Sequence, residues 1–397
     1  MVAENPLTPI LQAFVQPWHD ALANPAAAQE RLLQQLVGIY AQTEYGRQHG
    51  AERVGSLDDY RAAFPVRTYA DYEPILRRVM AGETHALLEA EPLGWAMTRG
   101  TTGQSKYIPM TPRDLEQRHN AARAVIQYVL HSGRYDILTG ANLNLSFPSV
   151  VGSMDVGGRR IEYGYATGIY VKHVAARTPI RTIPSQEAID ALGGDTGKAA
   201  WDARFQLAYE SAREQNMTIL GGAAQVAIKF GRWLRKTHGI YPKDVWTLGV
   251  LSLGSAPGIN STYRPRLLGY YGHQAGIVEI YGATEGMFGQ QRDDVRRWVP
   301  NYDLYVFEVE TRRGIKMLHE MKPGETGSLI VSTPVLPRYK ILDLVRAFDP
   351  PYFLCIGRDR PWTRGVYWLR RAIELDFWRG RALNPPAELE RGLNWLA

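Results

Sequence analysis

Two clusters of residues in this chain have the types and spacing to handle phosphate chemistry. The first is Thr98-Arg99-Gly100-Thr101-Thr102-Gly103-Gln104-Ser105-Lys106. A loop with two glycines, several hydroxyls and a trailing lysine can curl its backbone N–H groups and side chains around an anionic group. It is not a Walker A loop, which sets Gly and Lys side by side after four intervening residues; here Gly100, Gly103 and Lys106 stand at intervals of three. The second cluster is Tyr281-Gly282-Ala283-Thr284-Glu285-Gly286. Ile277 to Tyr281 reads as a short buried strand, and the residues after it as a turn at the strand's end, where α/β sheets bind ligands. The Thr284 hydroxyl beside the Glu285 carboxylate suits one corner of a phosphate and its Mg²⁺, an ion that takes one or two carboxylates together with phosphate oxygens. A Gly/Thr/Ser cluster alone also reads as an ordinary turn. It is the second cluster that gives the first its functional reading.

The elements needed to position these clusters are legible as periodicities. Residues 26 to 48, 58 to 80, 199 to 216 and 222 to 237 read as helices. A further helix is expected over 112 to 131, with Thr111 as its N-cap, Pro112 in its first turn and an apolar stripe of Leu115, Ala122, Val125 and Val129. Asn142 to Phe147 alternates with period two as a half-buried strand does. Buried strands are expected at 247 to 253 and 328 to 333, and the glycine-rich stretches 152 to 168 and 192 to 197 read as surface loops. Strands interleaved with helices predict an α/β protein.

Bulk properties narrow the class. At 397 residues the chain can bury a sizeable core as one multi-lobed unit or two domains. The single cysteine, Cys355, excludes an intramolecular disulfide framework and a cysteine-based zinc site. Its apolar run Tyr352 to Ile356 makes it a buried structural thiol rather than a nucleophile. No stretch has the roughly 18 apolar residues of a membrane helix, and residues 1 to 25 lack the charged and apolar regions of a secretion signal. A cytoplasmic protein without membrane partners is expected. The formal charge of +6 favours anionic ligands. Arg346, Arg358, Arg360, Arg364, Arg370 and Arg371 gather late in the chain, as a solvated face or as a docking surface for an acidic group. No nucleic-acid motif accompanies the charge, so no nucleic acid partner is expected.

The paired clusters resemble those of the adenylate-forming ligases, and the closest likeness within that superfamily is to the GH3 family of acyl-acid amido synthetases in a short microbial form. Further segments carry the resemblance: Thr43-Glu44-Tyr45-Gly46-Arg47-Gln48-His49-Gly50, then Phe64 to Tyr72, Leu253-Gly254-Ser255-Ala256-Pro257, Arg338-Tyr339-Lys340-Ile341-Leu342-Asp343, and Cys355 to Arg360. The likeness runs in order from about residue 30 to about residue 365. It implies a large N-terminal adenylation domain of layered α/β subdomains over residues 1 to 365, followed by a helical tail, 366 to 397, in place of the family's C-terminal lid domain.

The resemblance also implies roles. Lys106, Thr284 and Glu285 would be catalytic, with Glu285 holding Mg²⁺. Thr98, Gly100, Thr101, Thr102 and Gly103 would grip the β- and γ-phosphates of ATP. Ser255, Ala256 and Pro257 would form the adenine-side loop, Tyr281 and Gly282 would flank the nucleotide, Asp343 would hold the ribose, and Arg358 would lie in the hinge segment. Asp343 reads equally as a surface residue after a strand. The implied activity is ATP-dependent activation of a small carboxylic acid as acyl-adenylate, followed by transfer to an amino acid or another amine. An acyl-protein synthetase, an acyl-CoA ligase or a non-catalytic nucleotide-binding protein fits the same motifs, and a partner protein could supply the lid. Three positions depart from the family pattern: Arg99 replaces a small hydroxyl residue, Lys340 an arginine, and Leu342 a glycine.

Overall fold

A computed structural model describes residues 5–98, 105–174, 177–256 and 258–360. The strands in chain order are β1 Gly94–Met97, β2 Tyr107–Met110, β3 Ala141–Asn144, β4 Gly152–Val156, β5 Arg159–Gly164, β6 Thr182–Ile183, β7 Met217–Ala223 and β8 Val250–Gly254. They continue with β9 Gly276–Ala283, β10 Gly286–Gln290, β11 Val299–Pro300, β12 Val306–Thr311, β13 Gly314–Met317, β14 Thr326–Ser332, β15 Tyr339–Ala347 and β16 Phe353–Arg358.

Three sheets result. The largest has the order β11-β10-β9-β8-β7-β3-β6, parallel from β6 to β9 and antiparallel beyond. Its strands are rich in Val, Ile and Leu, as suits strands covered on both faces, and the helices Lys198–Ala212, Ala224–His238 and Arg264–Tyr271 pack onto it. An antiparallel sheet, β13-β12-β14-β15-β16, shares its core with the N-terminal helices Thr8–Ala23 and Pro25–Tyr40. A small sheet, β2-β1-β5-β4, carries the first phosphate-type cluster between β1 and β2.

Buried polar side chains fasten the N-terminal helices to the segments that follow β10. Trp18 donates its indole N–H to the Pro300 carbonyl at 2.8 Å, and Gln29 donates to the carbonyls of Tyr302 and Tyr305 while accepting from the Phe307 N–H. Arg338 is 3% exposed and joins three layers. Its guanidinium grips Glu308 of β12 through Nε at 2.8 Å and Nη2 at 3.2 Å, and donates to the carbonyls of Phe64 and Arg61.

Several helix and strand boundaries differ from expectation, each for a local reason. The helix expected over 26 to 48 is two, Pro25–Tyr40 and Glu44–Gln48, because Thr43 stops the first by donating to the Tyr40 carbonyl and caps the second by accepting from the Gly46 N–H. The stretch 58 to 80 breaks into Leu57–Ala63 and Tyr69–Met80 at Phe64, which precedes a proline and is held extended. The helix at 112 divides into Pro112–Ala121 and Ala124–Ser132, with Arg123 turned inward to Asp303 at 2.7 Å. The strand at 142 ends at Asn144, where the side chain accepts from the Ser146 N–H. The glycine-rich stretch 152 to 168 is no surface loop. Gly157 and Gly158 both take positive φ and close a two-residue hairpin between β4 and β5, and a helix, Ala166–Val174, begins within the stretch. Cys355 lies in β16, half-buried, with its thiol pushed up by burial. The tail from 366 to 397 lies outside the described residues.

Arg338→Met would leave the Glu308 carboxylate buried with only Arg61, at 2.8 Å, as its charged partner. Removing one member of a buried ion pair costs about 3 kcal/mol or more. The urea midpoint should therefore fall, and Glu308→Gln in the same chain should restore part of the loss. A midpoint equal to that of the parent would show that this latch carries no stability.

Candidate functional site

The second phosphate-type cluster is a hairpin tip rather than a loop at a strand's end. β9 runs on through Gly282 and Ala283, and β10 returns antiparallel from Gly286, so that Thr284 and Glu285 are the two turn residues. Neither takes positive φ, and such a turn lacks the twist that two-residue hairpins favour. Two features accommodate it. The register of β10 shifts between Met287 and Gly289, and Arg118 donates through Nη2 to the Thr284 carbonyl at 2.7 Å. Arg118 is itself held by Asp114, one helical turn earlier, at 2.7 Å in full burial. Gly286 is required by packing, since a Cβ there would lie 2.6 Å from the Phe288 ring and 2.9 Å from that of Tyr305.

The Glu285 carboxylate is 4% exposed. Burial pushes it above the usual carboxylate range, while the Lys106 charge and the neighbouring Tyr339 hydroxyl pull it back. Lys106 reaches it from β2's side of the site: the ammonium donates to Tyr339 Oη at 3.3 Å and lies 5.6 Å from the centre of the Tyr69 ring. Burial lowers the lysine's affinity for its proton, and Glu285 opposes that. The backbone next to Lys106 is pinned to Thr98 by two hydrogen bonds, Thr98 N–H to the Lys106 carbonyl at 2.9 Å and Lys106 N–H to Thr98 Oγ1 at 3.2 Å. These close the neck of the first cluster. Gly100, Thr101, Thr102 and Gly103, and with them Arg99, lie outside the described residues.

Asp343, 6% exposed on β15, stands beside the same hairpin. It accepts from Tyr281 Oη at 2.7 Å and from Arg358 Nη1 at 2.6 Å, so both carboxylate oxygens are engaged. It is not a surface residue. The Tyr281 ring stacks on Trp298 with centroids 4.6 Å apart and planes 5° from parallel, and Gly282 is exposed at its side. Ser255 follows the end of β8 with φ of 63°, its carbonyl accepting from Gln225, while Ala256 is half-buried and Pro257 lies outside the described residues. Leu342, where a glycine was expected, takes φ of 65° all the same, and its carbonyl accepts from Asp359. Lys340 pairs with Glu310 at 2.5 Å.

Sequence reasoning brought forward Lys106, Glu285, Tyr281, Asp343 and Arg358, and the structure places these five together. It did not single out Arg118, Tyr339 or Glu279. Arg118 lay within a recognised helix, four residues after Asp114, and that spacing was the available signal. Glu279 sits on β9 with its carboxyl pushed up to about 7 by burial, against a hydrogen bond from Asn260 at 2.9 Å. A glutamate inside an apolar strand run was its signal.

Among the described residues no group of three or more His, Cys, Asp or Glu could hold a metal by itself. Glu285 offers one buried carboxylate, which fits a Mg²⁺ that arrives with its own phosphate ligands.

Against known structures, this fold is that of the adenylate-forming ligases. An acyl acid amido synthetase, AtGH3.15, in complex with 2,4-DB aligns with a TM-score of 0.70 at 18% identity, covering 90% of this chain and 72% of that one. A 2-hydroxyisobutyryl-CoA ligase aligns with a TM-score of 0.59 at 15% identity, covering 85% and 69%. Residues 15–187 match the GH3 family N-terminal domain. The indole-3-acetic acid-amido synthetase GH3.10 of Arabidopsis thaliana is 28% identical over 193 residues, 45% of this chain and 32% of that protein. The synthetase GH3.6 of the same plant is 28% identical over 101 residues, 25% of this chain and 16% of that protein. The matched segments thus span a third or less of these relatives' length. Among the described residues no helix is long and apolar enough to cross a membrane.

The Glu279 carboxyl holds its proton more tightly folded than unfolded. The folded chain therefore binds more protons between about 4.5 and about 7, and its stability falls as pH rises through that window. Glu279→Gln should remove this slope. Relative to the parent, its urea midpoint should rise from pH 4.5 to pH 7.5 by the equivalent of about 1 to 3 kcal/mol. A constant difference across the window would show that Glu279 is ionised at an ordinary pKa.

Proposed function

We propose that this chain joins a small carboxylic acid to AMP at the expense of ATP and passes the acyl group to an amine such as an amino acid. In the first step a carboxylate oxygen attacks the α-phosphorus, the bond to the bridging oxygen breaks and pyrophosphate departs. Both reactants are anions, so the site must present fixed positive charge and oriented donors where negative charge gathers. The observation that carries the proposal is the meeting of Lys106, Glu285 and Asp343, from three separated segments, around one hairpin tip at the end of a parallel sheet.

In this reading Lys106 and the loop from Thr98 face the β- and γ-phosphates, and the Thr284 hydroxyl faces the α-phosphate. Glu285 is the carboxylate that holds Mg²⁺, and the ion supplies positive charge to the phosphate oxygens. Asp343 accepts from the ribose hydroxyls, exchanging its bond with Tyr281 or Arg358 for them, and Ser255 and Ala256 border the adenine. A domain or partner chain closing over this face would exclude water from the adenylate, as lids commonly do. In this reading the protein works in the cytoplasm, where ATP is at hand. A thiol acceptor is the second reading, supported by the likeness to a CoA ligase fold; the mass of the product formed with an amino acid or with CoA separates the two.

Exchange of labelled pyrophosphate into ATP, screened over aryl, indolyl and fatty acids, tests the first step. At least one acid should support exchange. Glu285→Ala should slow it by about 10²- to 10³-fold, the scale of one preorganised electrostatic contact, with the thermal midpoint retained. Exchange with none of the acids, or parental rates in Glu285→Ala, would contradict the proposal.

A further inference from the structure

Tyr339 is fully buried and its hydroxyl stands between the two opposite charges of the site. We infer that Tyr339 is a positioning residue: it holds the Lys106 ammonium beside Glu285, so that the phosphate-facing lysine is aligned by the five-stranded sheet. This rests on the nucleotide-binding role proposed above.

The donor and acceptor count supports it. A tyrosine hydroxyl has one proton and accepts through its lone pairs. Having accepted from Lys106 at 3.3 Å, Tyr339 keeps its own proton, with the Glu285 carboxylate beside it. The ammonium, the hydroxyl and the carboxylate stand close together, and the bond from Lys106 polarises the hydroxyl.

The two ends differ in rigidity. Tyr339 begins β15, where it pairs with Val331 of β14 and bridges in parallel to Arg67. The Arg67 carbonyl accepts from Lys340 at 2.7 Å, the Arg67 N–H donates to Arg338 at 3.1 Å, and the Tyr339 ring packs 6.2 Å from that of Tyr72. Lys106 has a long side chain at the neck of the 98–106 loop, and a free lysine loses rotamer entropy when ordered. With Tyr339 in place, much of that ordering precedes ligand binding. Tyr69 is the second wall: its ring lies 5.6 Å from the ammonium, and its hydroxyl accepts from the Tyr107 N–H at 3.0 Å.

The test compares ATP with AMP by calorimetric titration of the full chain. Tyr339→Phe keeps the ring and its packing and removes only the oxygen. It should lower the ratio of ATP to AMP affinity by about tenfold, the low end for a hydrogen bond to a charged group, with AMP affinity unchanged. In a Lys106→Ala background the same substitution should leave the ratio where Lys106→Ala alone puts it. A purely structural tyrosine would weaken both nucleotides together or act alike in both backgrounds, and either result overturns the inference. A second readout needs no nucleotide. The rate at which an amine-reactive ester labels Lys106, relative to the other lysines at one pH, should rise severalfold in Tyr339→Phe; an unchanged rate overturns the inference too. If the parent chain binds neither nucleotide, the proposed function fails, and the labelling rate still decides the role of Tyr339.

Discussion

The hydrogen bond from Tyr281 to Asp343 is the joint on which the site depends. It ties the β9–β10 hairpin of the parallel sheet to the five-stranded antiparallel sheet, whose core takes in Tyr281 and Phe288 of that hairpin. Four residues further along one segment, and four back along the other, Glu285 meets Tyr339. The segments 281–285 and 339–343 therefore run past each other in opposite directions, with the Tyr281–Asp343 hydrogen bond as the first rung and Tyr339 beside Glu285 as the second contact. The aromatic packing of Tyr281 against Trp298, Phe353 and Phe288 makes the first rung rigid. Bonds of this kind are worth more in a dry interior than at a surface, and their loss leaves a buried carboxylate short of a partner.

The joint carries backbone strain with it. Among the described residues three that are not glycine take positive φ: Ser255, Arg338 and Leu342. Arg338 precedes the Tyr339 to Asp343 segment, Leu342 lies within it, and Ser255 follows β8 at the same end of the sheet. A left-handed conformation costs an ordinary residue about 1 to 2 kcal/mol, so each must be held by its surroundings. Arg338 is held by four guanidinium hydrogen bonds, and Leu342 by its carbonyl's bond to Asp359. Outliers of this sort gather where a chain must present particular atoms to a ligand.

How far the site was legible follows from what sequence spacing encodes. Residues whose role is local could be read directly: the strand leading to Tyr281, the Thr284–Glu285 pair, the cap at Thr111. Asp343 could be placed by resemblance alone, because nothing in its neighbourhood tells a surface aspartate from one locked between Tyr281 and Arg358. Arg118 and Tyr339 act across long separations, on Thr284 and Lys106, and no periodicity records such a contact. The helix breaks at Phe64 and Arg123 were missed for different reasons. The first has a local signal in Pro65, whereas the second depends on Asp303, far along the chain. The Gly157–Gly158 hairpin was read as a loop although two adjacent glycines between alternating residues are its signature.

Hydrogen exchange of the full chain with and without ATP tests the central claim, that two sheets and the 98–106 loop build one nucleotide site. Peptides covering 94–110, 276–290 and 339–347 are expected to gain protection together, at one ATP concentration dependence, while the helices 198–212 and 224–238 stay as they were. Protection confined to one of the three segments, or found instead around the acidic surface cavity lined by Glu44, Glu83, Glu89 and Glu91, would contradict it.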